Sequence, residues 1–303
     1  MSFKYYPMCC LALALLLKSS IGIAQTHSKT YYVNSRTGND DNLGTATKPF
    51  RSIAKVNALK LKPGECILFN GGQVFEGTLQ LENINGSVKD PIVIASYGKG
   101  TSIINAKDSA GIVLEKCLGI KLQHLKLTGS GRKTGNTKDG LAINHSSYVW
   151  VDEINVSGFQ KSGLRIYSSQ QVNANNIFAH ESGSAGSTVE AVYQTRESHH
   201  IKILNCRAEN NPGDPTNLTN HSGNGIVVGD CKNVLIDQCT ATNNGWDMPR
   251  IGNGPVGIWA YEADSVIIQH CLSYENKTSK GGADGGGFDF DGGVTNSVIQ
   301  YCM

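Results

Sequence analysis

A nearly constant spacing recurs through the last two thirds of this chain, and it limits the fold more than any other feature. The clearest copy is Gly257–Asn276, GIWAYEADSVIIQHCLSYEN. A small residue opens it, and Ile258 and Ala260 alternate with Trp259 and Tyr261. After a short turn, a second alternating run carries Val266, Ile268 and Cys271. An apolar residue stands nine positions after the opening glycine, and another fourteen after it. From Gly111 these are Ile120 and Leu125; from Gly140, Val149 and Ile154; from Gly163, Val172 and Ile177; from Gly225, Val234 and Cys239; from Gly257, Val266 and Cys271. Rungs opening at Ala191 and Gly287 join the series if their turns are one residue longer, which brings Cys206 and Cys302 into line. Seven such rungs mark a repeat architecture.

Each rung reads as two short strands of period two, with no helical pattern. One rung cannot bury its apolar face alone. Stacked rungs form a continuous core, each strand hydrogen-bonded to its counterparts above and below. Openings 23 to 34 residues apart fit a coil of short parallel strands and are short for a four-stranded propeller blade. The expected fold class is therefore all-β, a single-stranded parallel β-helix, which the resemblance given below makes right-handed. Aligned positions become columns. Cys206, Cys239, Cys271 and Cys302 share one, read as small buried hydrophobes rather than disulfides. Asn211, Asn244 and Asn276 share another, placed to bond turn backbone that would otherwise be buried unpaired. Length varies just before the opening glycines, in connections 129–139, 183–190, 212–224, 246–255 and 277–286, and variable loops on a rigid scaffold are where sites usually sit.

Residues 1–24 read as a secretory signal peptide: Lys4 supplies the positive start, Met8–Leu17 an apolar run too short to span a bilayer, and Gly22-Ile23-Ala24 the small residues for cleavage. The mature protein is then expected outside the cytoplasm, extracellular or periplasmic, with no membrane attachment. Export implies an oxidising compartment. Seven cysteines follow the leader, an odd number, and none is in CxxC spacing. A formal net charge of +2 gives no argument for nucleic acid as partner. Residues 25–110 form a cap and the first coils. Tyr31–Val33 starts a strand, and Ile53, Val56 and Leu59 recur at helical spacing within Arg51–Lys60. Ile67–Phe69, Val74–Leu81 and Pro91–Ala95 are strands. The helix would cap the open end of the strand stack. Residues 111–303 are the repeats. They stop at Met303 within a second strand, so an incomplete C-terminus is expected. A monomer is expected.

Tyr31–Asn57, YYVNSRTGNDDNLGTATKPFRSIAKVN, with the following LKPGECILFNGGQVFEGTL, resembles the N-terminal signature of secreted right-handed parallel β-helix proteins of the pectate-lyase-like superfamily. GPVGIWAYEADSVIIQHC and DGGGFDFDGGVTNSVIQYC resemble later rungs of the same group. The resemblance covers residues 30–303 and implies the fold. It leaves the reaction open among lyases, glycoside hydrolases, uronate epimerases and non-catalytic proteins.

If the first residue after each opening glycine points inward, the residues at positions two and four stack on the outer face. These include Arg165 and Tyr167, Tyr193 and Thr195, Trp259 and Tyr261, and Asp289 and Asp291; a one-residue slip in the Ala191 rung would turn Gln194 and Arg196 outward instead. Tyr167, Trp259 and Tyr261 are then exposed aromatics on which sugar C–H faces can stack. Asp289 and Asp291 share a face with Cα atoms roughly 6.6–7 Å apart, and Asp284 adjoins them. Neighbouring carboxylates repel, so one pKa rises and the pair can act as acid and base, as glycoside hydrolysis needs. Asp289, Asp291 and Asp284 are the expected catalytic set, with Trp259, Tyr261, Tyr167, Arg165 and Arg250 binding a polysaccharide. A hydrolase would need no cofactor. Two alternatives stand beside it: a lyase in which Ca²⁺ neutralises a uronate while Arg165, Arg196 or Arg250 abstracts a proton, and a non-catalytic glycan-binding or adhesion protein. His180, His199, His200 and His270 are read as surface or packing residues.

Overall fold

The computed structural model describes residues 28–303. The proposed signal peptide lies outside the described residues. Strands pair only in parallel, in two sheets: one of fifteen strands, and one of eight ordered strictly by sequence from Leu79–Glu82 to Phe288–Phe290. That monotonic order is what stacking successive coils produces. Within the eight-stranded sheet, Ile112 pairs with Leu141, Leu141 with Leu164, Leu164 with Ser187, Ser187 with Ile226, and Ile226 with Ile258. All these side chains are buried, so like sits over like along the axis and one core runs the length of the stack.

The second run of each rung is longer than two short strands would make it. Leu118–Gly129, Ser147–Ser157 and Gln170–His180 are strands that bend midway. His124, Glu153 and Asn176 mark the bends, each at φ of 52–54°; further along, Asn205, Gln238 and His270 hold the same corner at similar values. A left-handed residue there costs roughly 1–2 kcal/mol, and the coil-to-coil hydrogen bonds hold it in place. Each coil therefore has three faces, not two. For the same reason Val74–Leu81 is two strands, Val74–Glu76 and Leu79–Glu82, with the corner at Gly77 (φ 109°).

The N-terminal helix is shorter than its spacing predicts, Ile53–Asn57, capped by the Ser52 side chain accepting from Lys55 N. It still protects an edge. The Asn57 side chain donates to Thr78 O (2.9 Å) and accepts from Gln80 N (3.0 Å), occupying backbone groups beside the first strand of the smaller sheet. Ile53 and Val56 enter the core.

Both predicted columns are present. Asn211 donates to Asn244 Oδ1 (2.8 Å) and Ala179 O (3.3 Å), and Asn244 donates to Asn276 Oδ1 (2.8 Å) and Ala208 O (3.1 Å). Each Asn oxygen also accepts the backbone N–H one coil earlier, from Asn211 N and Asn244 N. Cys206, Cys239 and Cys271 are buried, and all seven described cysteines are free.

One rung does not open where the spacing predicts. Its first strand is Ala185–Glu190, not the segment opening at Ala191, so part of the connection read as 183–190 is sheet. Ser187 points inward where its neighbours are Leu164 and Ile226, so the apolar signal is weak there, while Ala191-Val192-Tyr193 imitates it. The extra residues lie in the turn after the strand. Thr188 and Glu190 hold the outer positions; Tyr193 and Thr195 are exposed turn residues, as is Gln194.

Asn244→Ala should lower the unfolding free energy by several kcal/mol, since it takes the partner from the Asn211 backbone N–H and the Asn244 side-chain donor from Ala208 O, at about 1–3 kcal/mol per buried group, and leaves the Asn211 side-chain amide only Ala179 O. Urea titration measures it, and the wild-type midpoint should not move with reductant.

Candidate active site

The outer face of the smaller sheet is covered on its later coils by the loops that precede each strand. The 212–224 loop is fixed by Asp214, whose buried carboxylate takes Lys161 Nζ (2.5 Å), Thr216 N (2.9 Å) and Thr216 Oγ1 (2.8 Å), while Ser222 Oγ accepts from Asp214 N (3.0 Å). Arg132, from the 129–139 loop, donates to Gly213 O (2.9 Å) and pairs with Asp247, tying three loops together. Beneath them Ala185, Val227, Val256 and Trp259 form a small second core.

Trp259 is thus not an exposed platform. It is 5% exposed, with Nε1 donating to Asn224 Oδ1 (3.0 Å) and the His221 ring edge-on at 4.7 Å. The loop that buries it comes from the preceding coil, a placement that no local pattern signals. Tyr261 is half-buried and tilted beside it, ring centroids 5.3 Å apart.

Tyr261 reaches across a coil. Its hydroxyl donates to Glu190 Oε1 (3.1 Å), two strands away, because the intervening position is Gly229. A Cβ there would clash with the phenol end of Tyr261, 2.1 Å from Cζ. Burial raises the Glu190 pKa above the usual carboxylate range, against the Tyr261 hydrogen bond and the Arg165 charge. Burial likewise raises Asp139, whose carboxylate accepts from Ser162 N (2.9 Å).

Two adjoining clefts follow. One, about 340 Å³, is lined by Asp284, Asp289, Asp291 and Arg250, with Trp259 and Tyr261 in its wall. The other, about 350 Å³, holds Asp139, Lys161, Arg165 and Glu190. Asn220 and His221 line both. A larger hollow of about 690 Å³ beside the N-terminal helix carries only Lys60 and Glu82 as charged groups.

The structure brings the three aspartates, Trp259, Tyr261 and Arg250 together, with Arg165 in the adjoining cleft. Arg165 lies over Tyr167 (4.3 Å) and donates to Asn144 Oδ1 (3.2 Å), so Tyr167 backs Arg165 and does not line either cleft. Arg196 is elsewhere, near enough to Asp264 to help lower its pKa. Asp289 stands beside Trp259 in register, with Asp291 N bonded to Ala260 O (2.9 Å). The Asp289 pKa is raised, by desolvation first and then by Asp291 and Asp284. Asp284 Oδ2 accepts from Gly254 N (3.0 Å) and Asp291 Oδ1 from Gly292 N (2.7 Å). Among the described residues no three His, Cys, Asp or Glu side chains are grouped so that they could hold a metal ion. Sequence reasoning missed Glu190, hidden by the misplaced rung, and His221, which sits in a loop with no repeat to flag it.

Residues 31–303 match the family model described as Pel9A-like, right handed beta helix region. The chain belongs to that family. It is 29% identical over 135 residues to a lacto-N-biosidase of Bifidobacterium longum subsp. longum, covering 42% of this chain and 8% of that protein. Its fold is similar to that of the GH136 lacto-N-biosidase of Eubacterium ramulus, at a TM-score of 0.73 and 19% identity, over 90% of this chain and 55% of the other. A rhamnogalacturonan lyase superposes at a TM-score of 0.61 and 14% identity, over 85% and 75%. The chain therefore spans about half the length of the solved lacto-N-biosidase and a small part of the Bifidobacterium protein.

A carboxyl whose pKa rises on folding stabilises fully below its unfolded value, about 4.3 for Glu, and that contribution is lost as pH climbs through the folded value. Glu190→Gln keeps an acceptor for Tyr261 and removes the titration. Its unfolding free energy should fall less between about pH 4 and 8 than the wild type's, as read by urea titration across that range. Gly229→Val should displace Tyr261 and expose it, seen as a gain in tyrosine reactivity towards tetranitromethane.

Proposed function

We propose that this family member is a secreted, carbohydrate-active enzyme that hydrolyses a glycosidic bond in an uncharged glycan. The observation that carries this reading is the cleft itself. Three aspartates, one with a raised pKa, face a tyrosine and a half-buried wall on a rigid sheet. Glu262 adds a fourth carboxyl, against Arg250 as the one cation lining that cleft among the described residues. Such a surplus of negative charge disfavours the uronate carboxylates on which a lyase acts. The likeness to two lacto-N-biosidases supports the same choice, since lacto-N-biose carries no charge. The leader-like residues 1–24 support export.

In the proposed reaction Asp289, protonated, gives its proton to the glycosidic oxygen as the bond to the anomeric carbon breaks. The Asp291 carboxylate acts on the opposite side, either on the anomeric carbon or on the water that replaces the leaving group. The water's hydroxyl goes to the sugar; its remaining proton passes to the deprotonated Asp289 if Asp291 has bonded to the carbon, or to Asp291 if Asp291 acts on the water, in which case exchange with solvent returns both carboxyls to their starting states. Asp284, held by Gly254 N, shapes the electrostatics of the pair. Tyr261 and Arg250 bind the sugar beside it.

The test is incubation of the purified protein with lacto-N-biose-terminated glycans, xylan, pectate and alginate, with reducing ends and ultraviolet-absorbing unsaturated ends read in parallel. Reducing ends alone are expected, unaffected by a chelator. Unsaturated ends lost on chelation would mean a lyase, and binding without product would mean a glycan-binding protein. Asp289→Asn and Asp291→Asn should each lower kcat/KM on the order of 10²–10⁴-fold. If the large loss falls on Asp284→Asn in place of Asp289→Asn, the acid is Asp284. Because the acid must be protonated, the rate should fall as pH rises through its raised pKa. The profile of kcat/KM against pH should lose that alkaline limb in the variant lacking the acid.

A further inference from the structure

The two clefts meet at His221, and its protonation state follows from a chain of obligatory donors. Trp259 Nε1 and Val256 N can only donate, and both point to one side-chain atom of Asn224, at 3.0 and 3.3 Å. That atom is therefore the Asn224 oxygen. The other, Nδ2, must donate, and it faces Ser184 O (3.3 Å) and His221 Nδ1 (2.9 Å). Ser184 O can only accept, which agrees. His221 Nδ1 is left as an acceptor without a proton. The ring is neutral, and its proton is on Nε2.

Two independent features hold this state. The ring is packed edge-on against Trp259, and its backbone is fixed through Asn220 Oδ1 on His221 N (2.8 Å) and Asn217 Nδ2 on His221 O (3.2 Å). Burial lowers its pKa to about 4, with Arg250 adding to the shift and Asp291 opposing it. Among the described residues Nε2 has no protein partner, and it is not among the buried polar atoms that lack one. It opens on the groove.

We propose that His221 is a substrate-binding residue, a fixed Nε2–H donor at the seam of the two clefts that takes a hydroxyl or carbonyl oxygen of a neutral oligosaccharide spanning both. A sugar in the aspartate cleft thereby continues over Asn220 and His221 towards Arg165, Glu190 and Asp139. A charged histidine at this seam would attract carboxylates. A neutral one reads an oxygen acceptor without selecting for anions, which suits a groove already crowded with acids. This inference rests on the carbohydrate reading above, but the tautomer does not.

The experiment is ¹⁵N–¹H correlation, through two bonds for histidine, on the full protein labelled at histidine and tryptophan, with His221 assigned from His221→Phe, Trp259 from Trp259→Phe, and lacto-N-biose as the probe. In the free protein His221 should show a protonated Nε2 and an unprotonated Nδ1 from about pH 6 to 8. Asn224→Asp, which replaces the donor by an acceptor, should protonate Nδ1. A wild-type imidazolium, or a protonated Nδ1, would overturn the assignment whatever the enzyme does. On titration with lacto-N-biose the His221 Nε2 signal should move together with the Trp259 indole. His221→Phe should weaken binding roughly 3–10-fold, and His221→Gln, which restores an N–H donor, should recover most of it. Movement of the Trp259 indole alone, with His221→Phe binding as wild type, would overturn the seam role while leaving the aspartate cleft intact. If no signal moves, the carbohydrate reading and this role fail together, and the tautomer result stands by itself.

Discussion

Every coil is held to the next by parallel backbone hydrogen bonds in fixed register, and that constraint governs the molecule. A residue cannot be chosen for its own coil alone, because its side chain lies about 4.8 Å above and below two others. Columns result. Apolar residues stack into the core, asparagines pass hydrogen bonds from coil to coil, and left-handed residues recur at the corners. Each left-handed corner is locally unfavourable, and each unpaired turn amide would be costly. The stack offsets both, since a column of identical solutions satisfies the groups above and below at once. The free cysteines fit this scheme as small apolar fillers. Hydrogen bonds with neighbouring cysteines of the column, and then burial, raise the pKa of the Cys239 and Cys271 thiols, which leaves them protonated and unreactive.

The outer face of the smaller sheet obeys the same register with a different result. Its early coils present Glu82, Glu115 and Asn144 to solvent. Its later coils lie under loops, and there the outward positions become a second small core with two polar clefts beside it. The loops are not free to choose their course. A buried Asp214 and a bridging Arg132 commit them to one wall, and this is what places Asn220, His221 and Asn224 over the sheet. Electrostatics follow from position: carboxyls that the loops shelter, Asp139 and Glu190, are pushed up by desolvation, and Asp289 by desolvation and its acidic neighbours.

Much of this was legible in the chain. Spacing from Gly111, Gly140, Gly163, Gly225 and Gly257 predicts pairings that the structure contains, such as Val149 with Ile120 and Val172. The Asn and Cys columns, and the meeting of the three aspartates with Trp259 and Tyr261, follow from the same count. Failures have one physical origin: the count assumes that each coil is built from its own residues. Ser187 breaks the apolar signal because Leu164 and Ile226 on either side supply the burial it lacks. Trp259 is covered by a loop from the coil before. Glu190 finds its partner two strands away. Interactions between coils decide these positions, and no alternation within one coil records them.

A repeating solenoid is tolerant of gain or loss, since one coil can usually stand in for another. Gly229 marks where that tolerance ends. The tyrosine of one coil lies over the glycine of the second and bonds the glutamate of a third. Insert or remove a coil between Ala185 and Tyr261 and the stack would still close, but those three residues would no longer be neighbours. Along most of its length the chain is made of interchangeable parts. Across these coils it has become an individual object, with an order that copying would erase.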